Sequence, residues 1–366
     1  MQFTASDSHR DLLDAVRAVV DKSLAQSAAQ RDRSGLTMAK TLQTLRDLGL
    51  FALDAPESDG GLALDAVGVV RVLALLAETD AGLAQLVAEN LAAAWVMRRA
   101  GKQAPAALLC LAHGEDTDHL DAPLVRCAVV GATTVSPLST VVISGRKPMV
   151  LAGALAQVVL VSAQTADGIG LFQLDLDKPG VERALHSDLL GLRAAGVAEV
   201  EFDSASATAL CTGDLANAIL REVELRLRLW TAAVAVGCGR GALQAAASYV
   251  QQREQFGKPI AAFQPVQWQI ANSVTELDAA WLLVGQAAGR LDTGAKTVGR
   301  DIALAKAKAC EAALATADRA IQLHGGYGYT TDYPVERAYR DAAVLQLIHG
   351  TPSACKVEAA RWLAAA

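Results

Sequence analysis

The order of residue patterns along the chain constrains its fold more than any single motif. Residues 6 to about 120, and those from about 214 onward, repeat apolar residues at helical spacing. Between these segments lie short β-branched runs separated by Gly, Pro, Asp and Ser, which is typical of a small antiparallel sheet or barrel. We therefore predict a mainly α chain with a central β-domain. Its parts are an N-terminal helical domain (1–121), a small β-barrel or sheet domain (122–212) and a C-terminal four-helix bundle (213–366).

One predicted helix of the C-terminal part, Leu220 to Gln252, is unusual because small residues fill its centre. Small side chains let a second backbone come close to a helix. The sequence therefore predicts a tightly packed helix at these positions: Ala232, Ala233, Ala235, Gly237, Gly239, Gly241 and Ala242.

Composition narrows the class of partner. Hydrophobic residues make up 52% of the 366 residues and charged residues 20%, so a packed core is feasible and wholesale disorder is not expected. The net charge of -6, without a run of Lys or Arg, does not favour a nucleic-acid partner. The longest uncharged apolar stretch, 149–166, contains polar residues and a Gly turn. It predicts two strands rather than a membrane helix.

Cysteine usage and the N-terminus bear on location. The 6 cysteines are widely separated and form no C-x-x-C pair, so we expect a reducing compartment and neither a disulfide framework nor a structural zinc site. Residues 1–7 lack the basic and apolar regions of a secretory signal, so we expect a cytoplasmic protein. Five histidines show no metal-ligand spacing, and we predict no metal site and no role for them: His9, His113, His119, His186 and His324.

The first motif that carries chemistry is R-E-Q-F-G-K-P-I, which starts at Arg253 and is followed by Phe263-Gln264. It places Arg253 and Phe256 near each other where a long helix ends. An arginine there can bind a phosphate, and a phenylalanine can cover an aromatic ring. The alternative is a helix C-terminus with a solvated arginine.

The second motif is Q-L-H-G-G-Y-G-Y, which starts at Gln322 and is followed by Y-P-V-E-R and by Arg340-Asp341. The glycines at Gly325 and Gly326 let the backbone pass close to a ligand such as a pyrophosphate. No strand-glycine-helix unit surrounds the motif, so it is neither a P-loop nor a Rossmann fingerprint. The alternative is a glycine-rich break between two helices.

In this order the two motifs resemble the C-terminal hallmarks of the acyl-CoA dehydrogenase family. The resemblance extends to Leu48-Gly49-Leu50, to Gly60-Gly61 and to the segment from Leu190 to Arg193. It implies the helical, β and four-helix domains already predicted. It also implies FAD as cofactor, α,β-desaturation of an acyl-CoA thioester and an electron-transfer flavoprotein as acceptor. The resemblance assigns cofactor-binding roles to Arg253, Phe256, Gln264, Gln322, Gly325, Gly326 and Thr351.

The chain departs from the family where the chemistry needs a carboxylate base. The commoner base position, just before the Gly-Thr of the last domain, is His349. The other position, directly before Arg228 on the long helix, is Leu227. Glu224 lies nearly one helical turn before Leu227 and is a poor substitute.

The β-domain departs from the family too. The resemblance leads us to expect a T-E-P-x-A-G-S-D loop and a K-x-W-I-T/S-N segment around the flavin ring. Residues 128–133 replace the loop, and residues 145–153 replace the segment, with Met149 and Leu151 where Trp and Thr are expected. The half of the site that holds the flavin ring therefore looks altered, whereas the half that holds the ADP part looks intact.

Three interpretations follow. In the first, the chain resembles the subunit that lacks the catalytic Glu in heterotetrameric actinobacterial acyl-CoA dehydrogenases, some of which act on steroid side-chain CoA thioesters. It would complete the FAD site of a partner acyl-CoA dehydrogenase subunit in an α2β2 assembly. In the second, the chain is a self-sufficient homo-oligomeric flavoenzyme with His349 as base. In the third, it is a non-catalytic scaffold that binds no flavin.

Overall fold

The structure, a computed structural model, describes residues 7–113, 128–130 and 138–364. Its N-terminal part is helical. The helices there are α1 (Asp7–Val19), α2 (Ala25–Ser34), α3 (Ala39–Asp47), α4 (Ala66–Ala77) and α5 (Ala81–Arg99). The domain boundary predicted at residue 121 lies outside the described residues, and so does His119. The side chains of His9 and its neighbours are also outside the described part.

Helices α4 and α5 form the buried centre of the N-terminal part. Each begins at an aspartate whose side chain accepts a backbone hydrogen bond: Asp65 from Gly68 N at 2.7 Å, and Asp80 from Leu83 N at 2.9 Å. Such caps satisfy N–H groups that have no partner within the helix. Asp80 also pairs with Arg31 at 2.7 Å, and both side chains are buried.

A seven-stranded sheet follows the helices. Its strands are β1 (Leu109–Ala112), β2 (Ala128–Val130), β3 (Thr140–Val150), β4 (Val158–Thr165), β5 (Gly168–Asp175), β6 (Val181–Leu185) and β7 (Ala198–Thr212). The strand order is β1-β4-β2-β3-β7-β5, and β5 also pairs with β4, so the pairing closes on itself like a barrel. Strand β6 pairs with β7 outside this path.

The first strand corrects the prediction that helical structure continues to about residue 120. Residues 109–112 form β1, which pairs in parallel with β4 from Leu109↔Val158 to Ala112↔Val161. All four residues of β1 are buried. A short apolar run of this kind has no helical or strand periodicity of its own, so its pairing partner decides its structure.

The C-terminal part is a helical bundle. Its helices are α6 (Gly213–Gln252), α7 (Gln264–Asp292), α8 (Val298–His324), α9 (Val335–Leu345) and α10 (Pro352–Ala364). A two-stranded hairpin, β8 (Glu254–Gln255) with β9 (Lys258–Pro259), separates α6 from α7. The predicted fold class, mainly α with a central β-domain, is confirmed. The limits at 121/122 and 212/213 remain predictions.

The small residues at the centre of α6 permit close packing against α4 and its C-terminal end. A Cβ atom added at Gly237 would overlap the carbonyl oxygen of Ala74, and one added at Gly241 would overlap that of Glu78. These glycines are therefore required by the approach of another backbone, as the sequence indicated.

Replacing Gly241 with alanine is expected to lower the free energy of unfolding by about 2 kcal/mol, because the backbones must move apart to admit the methyl group. The measurement is urea denaturation followed by circular dichroism. Gly289→Ala is the matched control, since a Cβ there meets no atom within 4 Å. That variant should be neutral or slightly stabilising. Equal losses for the two variants would contradict the packing argument.

Two segments of the family resemblance join the β-domain to the bundle. Arg340 Nη1 donates to the Leu190 carbonyl at 2.9 Å, and Asp341 Oδ1 accepts from Leu192 N at 2.6 Å. A Cβ at Gly191 would lie 2.5 Å from the Arg340 carbonyl oxygen, so only glycine allows this approach. Burial raises the pKa of Asp341 to about 7. The role of these residues in the fold is thus to hold two domains together.

Two further properties concern location and thiol chemistry. Within the described ranges, no helix combines the length and apolar character needed to cross a membrane. The cysteines described there are buried and free: Cys110, Cys211, Cys238, Cys310 and Cys355. Burial raises the pKa of the Cys110 and Cys238 thiols, so neither supplies a thiolate at neutral pH.

Candidate active site

The two sequence motifs, one starting at Arg253 and the other at Gln322, meet in one open groove of about 460 Å³. Arg253 from the end of α6 lies on one side, and Gln322, Gly325 and Gly326 from the end of α8 lie on the other. Gly325 has a left-handed backbone (φ 59°), and a Cβ at either glycine would meet no atom within 4 Å. The backbone at these glycines is therefore exposed to any ligand in the groove.

The hairpin after α6 determines where Phe256 lies. Helix α6 ends at Gln252, and the Arg253 carbonyl accepts a hydrogen bond from Ile260 N at 2.8 Å, which closes the hairpin. The two residues at its tip, Phe256 and Gly257, both have left-handed backbones, with φ of 57° and 78°. Two-residue hairpin turns require this geometry, which is costly for a residue other than glycine. The Phe256 ring is 91% exposed, with its edge toward Phe263.

Aromatic rings form the floor of the groove. Tyr249 stacks on His324 with ring centroids 4.3 Å apart, and Tyr333 lies edge-on to both rings. His324 Nδ1 donates to the Ala320 carbonyl at 2.8 Å, and burial lowers the pKa of this histidine. Tyr249 and His324 line the groove although the sequence analysis gave neither a role. The sequence around Tyr249 and His324 indicates that each lies on a helix. It does not indicate that α6 and α8 bring the two residues together.

The other predicted cofactor residues lie outside the groove lining. Gln264 is the first residue of α7 and is exposed, next to Phe263 and the hairpin. Thr351 stands just before α10, where its hydroxyl accepts a hydrogen bond from Ala354 N at 3.2 Å. The structure thus brings Arg253, Gln322, Gly325 and Gly326 into one surface, with Phe256 and Gln264 on adjoining elements and Thr351 in a different part of the bundle.

The residue at the usual base position is held in a buried ion pair. His349 Nε2 donates to Glu89 Oε1 at 2.8 Å, and the two side chains are 8% and 1% exposed. Gln85 Nε2 donates to the same oxygen at 2.8 Å. Burial lowers the pKa of His349, but the charges of Glu89 and Glu224 outweigh burial and raise it above its ordinary value. A raised pKa favours the doubly protonated ring, which has no lone pair left to accept a proton.

The second base position is also closed. Leu227 is fully buried, and Arg228 Nε donates to Glu224 Oε1 at 3.1 Å and to the His349 carbonyl at 3.2 Å. The other oxygen of Glu224 accepts from His113 Nε2 at 3.1 Å. Burial raises the pKa of Glu224, but its hydrogen bond with His113 and its neighbours His349 and Arg228 outweigh burial and hold the pKa well below the usual range. Both carboxylate oxygens of Glu224 are thus engaged.

This polar cluster was not apparent in the sequence. From the sequence we expected no role for His113, and no pattern singled out Glu89. In the structure the two residues are the hydrogen-bond partners of Glu224 and His349, at sequence separations of 111 and 260. No local pattern indicates pairs so far apart. The left-handed backbone of His349 (φ 52°) is a further feature that only coordinates reveal.

The altered β-domain segments have structural contacts of their own. Residues 128–130 form β2 against β3, and residues 131–133 lie outside the described ranges. In the second segment Lys147 is fully buried and donates to Ser162 Oγ at 3.1 Å. Met149 is 53% exposed near the end of β3, and Leu151 begins the turn that follows. The expected Trp is thus replaced by a flexible, exposed side chain.

The helical and β-domain architecture, with two motifs forming a groove at the bundle surface, defines the class of acyl-CoA dehydrogenase-like folds. Comparison with known proteins supports this. The model of the acyl-CoA dehydrogenase N-terminal domain matches residues 6–107, and that of the C-terminal domain matches residues 225–363. The chain belongs to the acyl-CoA dehydrogenase family, as its motifs predicted.

Individual relatives match over nearly the whole chain. The probable acyl-CoA dehydrogenase of Mycobacterium tuberculosis is 29% identical over 386 residues, covering 99% of this chain and 96% of the relative. Butyryl-CoA dehydrogenase from Megasphaera elsdenii has a TM-score of 0.90 at 26% identity, with 99% and 100% of the chains covered. A glutaryl-CoA dehydrogenase from Mycobacterium smegmatis, solved in complex with FADH2, has a TM-score of 0.88 at 23% identity, with 99% and 96% covered. The predicted cofactor class, FAD, is confirmed for the family.

Proposed function

We propose that this chain is one subunit of a heteromeric FAD-dependent acyl-CoA dehydrogenase. It contributes the ADP half of an FAD site to a partner acyl-CoA dehydrogenase subunit, in an α2β2 assembly, and the partner carries the catalytic Glu. The observation that carries the proposal is the contrast between two places. The groove that bears the ADP-binding motifs is open, while both base positions lack a carboxylate and are closed by buried contacts.

The groove suits the ADP part of FAD. The Arg253 guanidinium offers forked donors to phosphate oxygens. The bare backbone at Gly325 and Gly326 can approach a pyrophosphate, because a Cβ there would project into the space that the ligand needs. Gln322 adds amide donors and acceptors on the same wall. When bound, FAD supplies the two-electron oxidant of the α,β-desaturation.

The exposure of these residues supports a ligand shared between subunits. The ring of Phe256 is almost fully exposed on the hairpin tip. An aromatic side chain held there at the expense of backbone strain suits contact with a flavin or a neighbouring subunit rather than with its own core.

The alternative of a self-sufficient homo-oligomer needs His349 as base. A general base must be unprotonated and within reach of the proton that it removes. Here the ring donates to Glu89 and is buried among charged groups that favour its protonated form. The geometry therefore supports a partner as the source of the catalytic carboxylate. The acyl group is proposed from the family resemblance alone, with steroid side-chain CoA thioesters as the first substrates to test and an electron-transfer flavoprotein as the acceptor.

The test is to purify the chain alone and after co-expression with the acyl-CoA dehydrogenase encoded next to it. We expect the chain alone to carry no stoichiometric flavin. The complex should have the mass of an α2β2 assembly, contain half as many flavins as chains, and be bleached by an acyl-CoA. A chain that is yellow alone with one FAD each, and that is reduced by an acyl-CoA, would establish the homo-oligomer. An assembly without flavin would establish the scaffold.

A further inference from the structure

Three ligand-type side chains from distant parts of the sequence come together beside the closed base position. His113 follows β1, Glu224 lies on α6 and His349 lies just before α10. One potential ligand atom from each residue lies within 4.8 Å of the other two. We infer that His113, Glu224 and His349 form a binding site for one divalent transition-metal ion, of the type that Zn²⁺ and Co²⁺ represent. This site is separate from the FAD groove and does not depend on the proposed function.

The donor set and its spacing fit such an ion. Two imidazoles and one carboxylate are a common ligand set for these metals in proteins. Metal–ligand bonds of about 2.0–2.2 Å place ligand atoms roughly 3–3.5 Å apart. The His113 Nε2 to Glu224 Oε2 distance of 3.1 Å already falls in this range. The two imidazole rings are parallel, with planes 4° apart and centroids 6.1 Å apart, so one ring must turn before both can present a nitrogen to the same ion.

The hydrogen bonds around the triad support coordination. His113 Nδ1 is buried and has no hydrogen-bond partner among the described residues. A metal-bound histidine coordinates through one nitrogen and hydrogen-bonds through the other, commonly to a carboxylate. Glu89, 2.8 Å from His349 Nε2, is placed either to orient that ring or to become a fourth ligand. The ion would replace the proton shared by His349 and Glu89.

The two cations nearest the site, Arg228 and Lys306, each bind more than one group. Arg228 binds Glu358 and the His349 carbonyl as well as Glu224. Lys306 donates to the carbonyls of Leu345 and Gly350, at 2.9 and 3.2 Å. Three carboxylates, Glu89, Glu224 and Glu358, stand against the two cations Arg228 and Lys306, so negative charge remains around the two imidazoles. A metal ion here would tie the segment after β1 to α6 and to the turn before α10.

The test is isothermal titration of Zn²⁺ into the chelator-treated, untagged chain, alone or in its complex. We expect one ion per chain with a dissociation constant below about 10 µM and a higher melting temperature with Zn²⁺. His113→Ala and Glu224→Gln should each weaken binding at least about tenfold. His186→Ala is the control, because the His186 ring hydrogen-bonds to the Pro148 carbonyl in the β-domain. Zinc binding by this variant should be unchanged. Co²⁺ absorption should show nitrogen and oxygen ligands without thiolate.

Three outcomes of the titration would overturn the inference. They are the absence of stoichiometric binding, full binding by His113→Ala, or an equal loss in His186→Ala. The His113 side chain is 18% exposed at the edge of the cluster, so we expect its substitution to leave the hydrophobic core intact. Circular dichroism checks that each variant is folded. A thiolate signature with Co²⁺ would place the ion at cysteines and would equally refute the site. None of these readouts uses flavin content.

Discussion

Replacing Gly326 with valine is expected to weaken FAD retention by the co-expressed complex about 100-fold, equal to about 2.7 kcal/mol. The glycine lines the groove, and a Cβ there would meet no protein atom within 4 Å. The valine side chain therefore does not disturb the fold but fills space that the pyrophosphate needs. The measurement is bound flavin per complex after dialysis, together with the dissociation constant from flavin fluorescence.

Gly289→Val is the matched control for this prediction. Gly289 lies on α7, its Cβ would also meet no atom within 4 Å, and it is absent from the groove lining. We expect the control complex to retain its flavin and its mass. Normal flavin in the Gly326 variant would show that the groove does not hold FAD. Loss of flavin in both variants would point to assembly rather than to the groove.

Much of the fold could be predicted because the spacing of apolar residues along the chain indicates which side chains are buried. The apolar stripes indicated the helical parts on either side of the sheet, the small residues indicated the close packing of α6, and the β-branched runs indicated the sheet. The exception, β1, is informative. Leu109–Ala112 is too short to show a period, and its strand structure depends on its parallel partner β4, about 50 residues away. Such non-local pairing leaves no local trace.

The two halves of the site differ in how far the sequence could predict them. The residues proposed to bind the ADP part belong to contiguous motifs, so Arg253 and Gln322 could be proposed from the sequence, although not the groove that they share. The cluster at the base position is assembled from residues on separate helices and on the segment after β1. Sequence shows that His349 replaces a carboxylate. Only the packing of α5 against this residue shows that Glu89 is its hydrogen-bond partner.

The charge on Glu89 is expected to contribute about 3 kcal/mol to the stability of the folded chain at pH 6 in metal-free buffer. Glu89→Gln removes this charge but keeps the shape of the side chain. Because the pKa of His349 is raised in the folded state, its charged form stabilises the fold below its unfolded value of 6.5. That contribution is lost as the pH rises through the folded pKa. The difference between wild type and variant should therefore be largest near pH 6 and should shrink toward pH 9.

The measurement is urea unfolding of both proteins at pH 6, 7.5 and 9. Glu222→Gln is the matched control, because Glu222 pairs with Arg99 on the surface, with side chains 39% and 46% exposed. Its loss should stay below about 1 kcal/mol at every pH. A difference for Glu89→Gln that does not change with pH would mean that Glu89 does not raise the pKa of His349. Its ring would then be available as a base, and the argument for a catalytic partner would lose its electrostatic support.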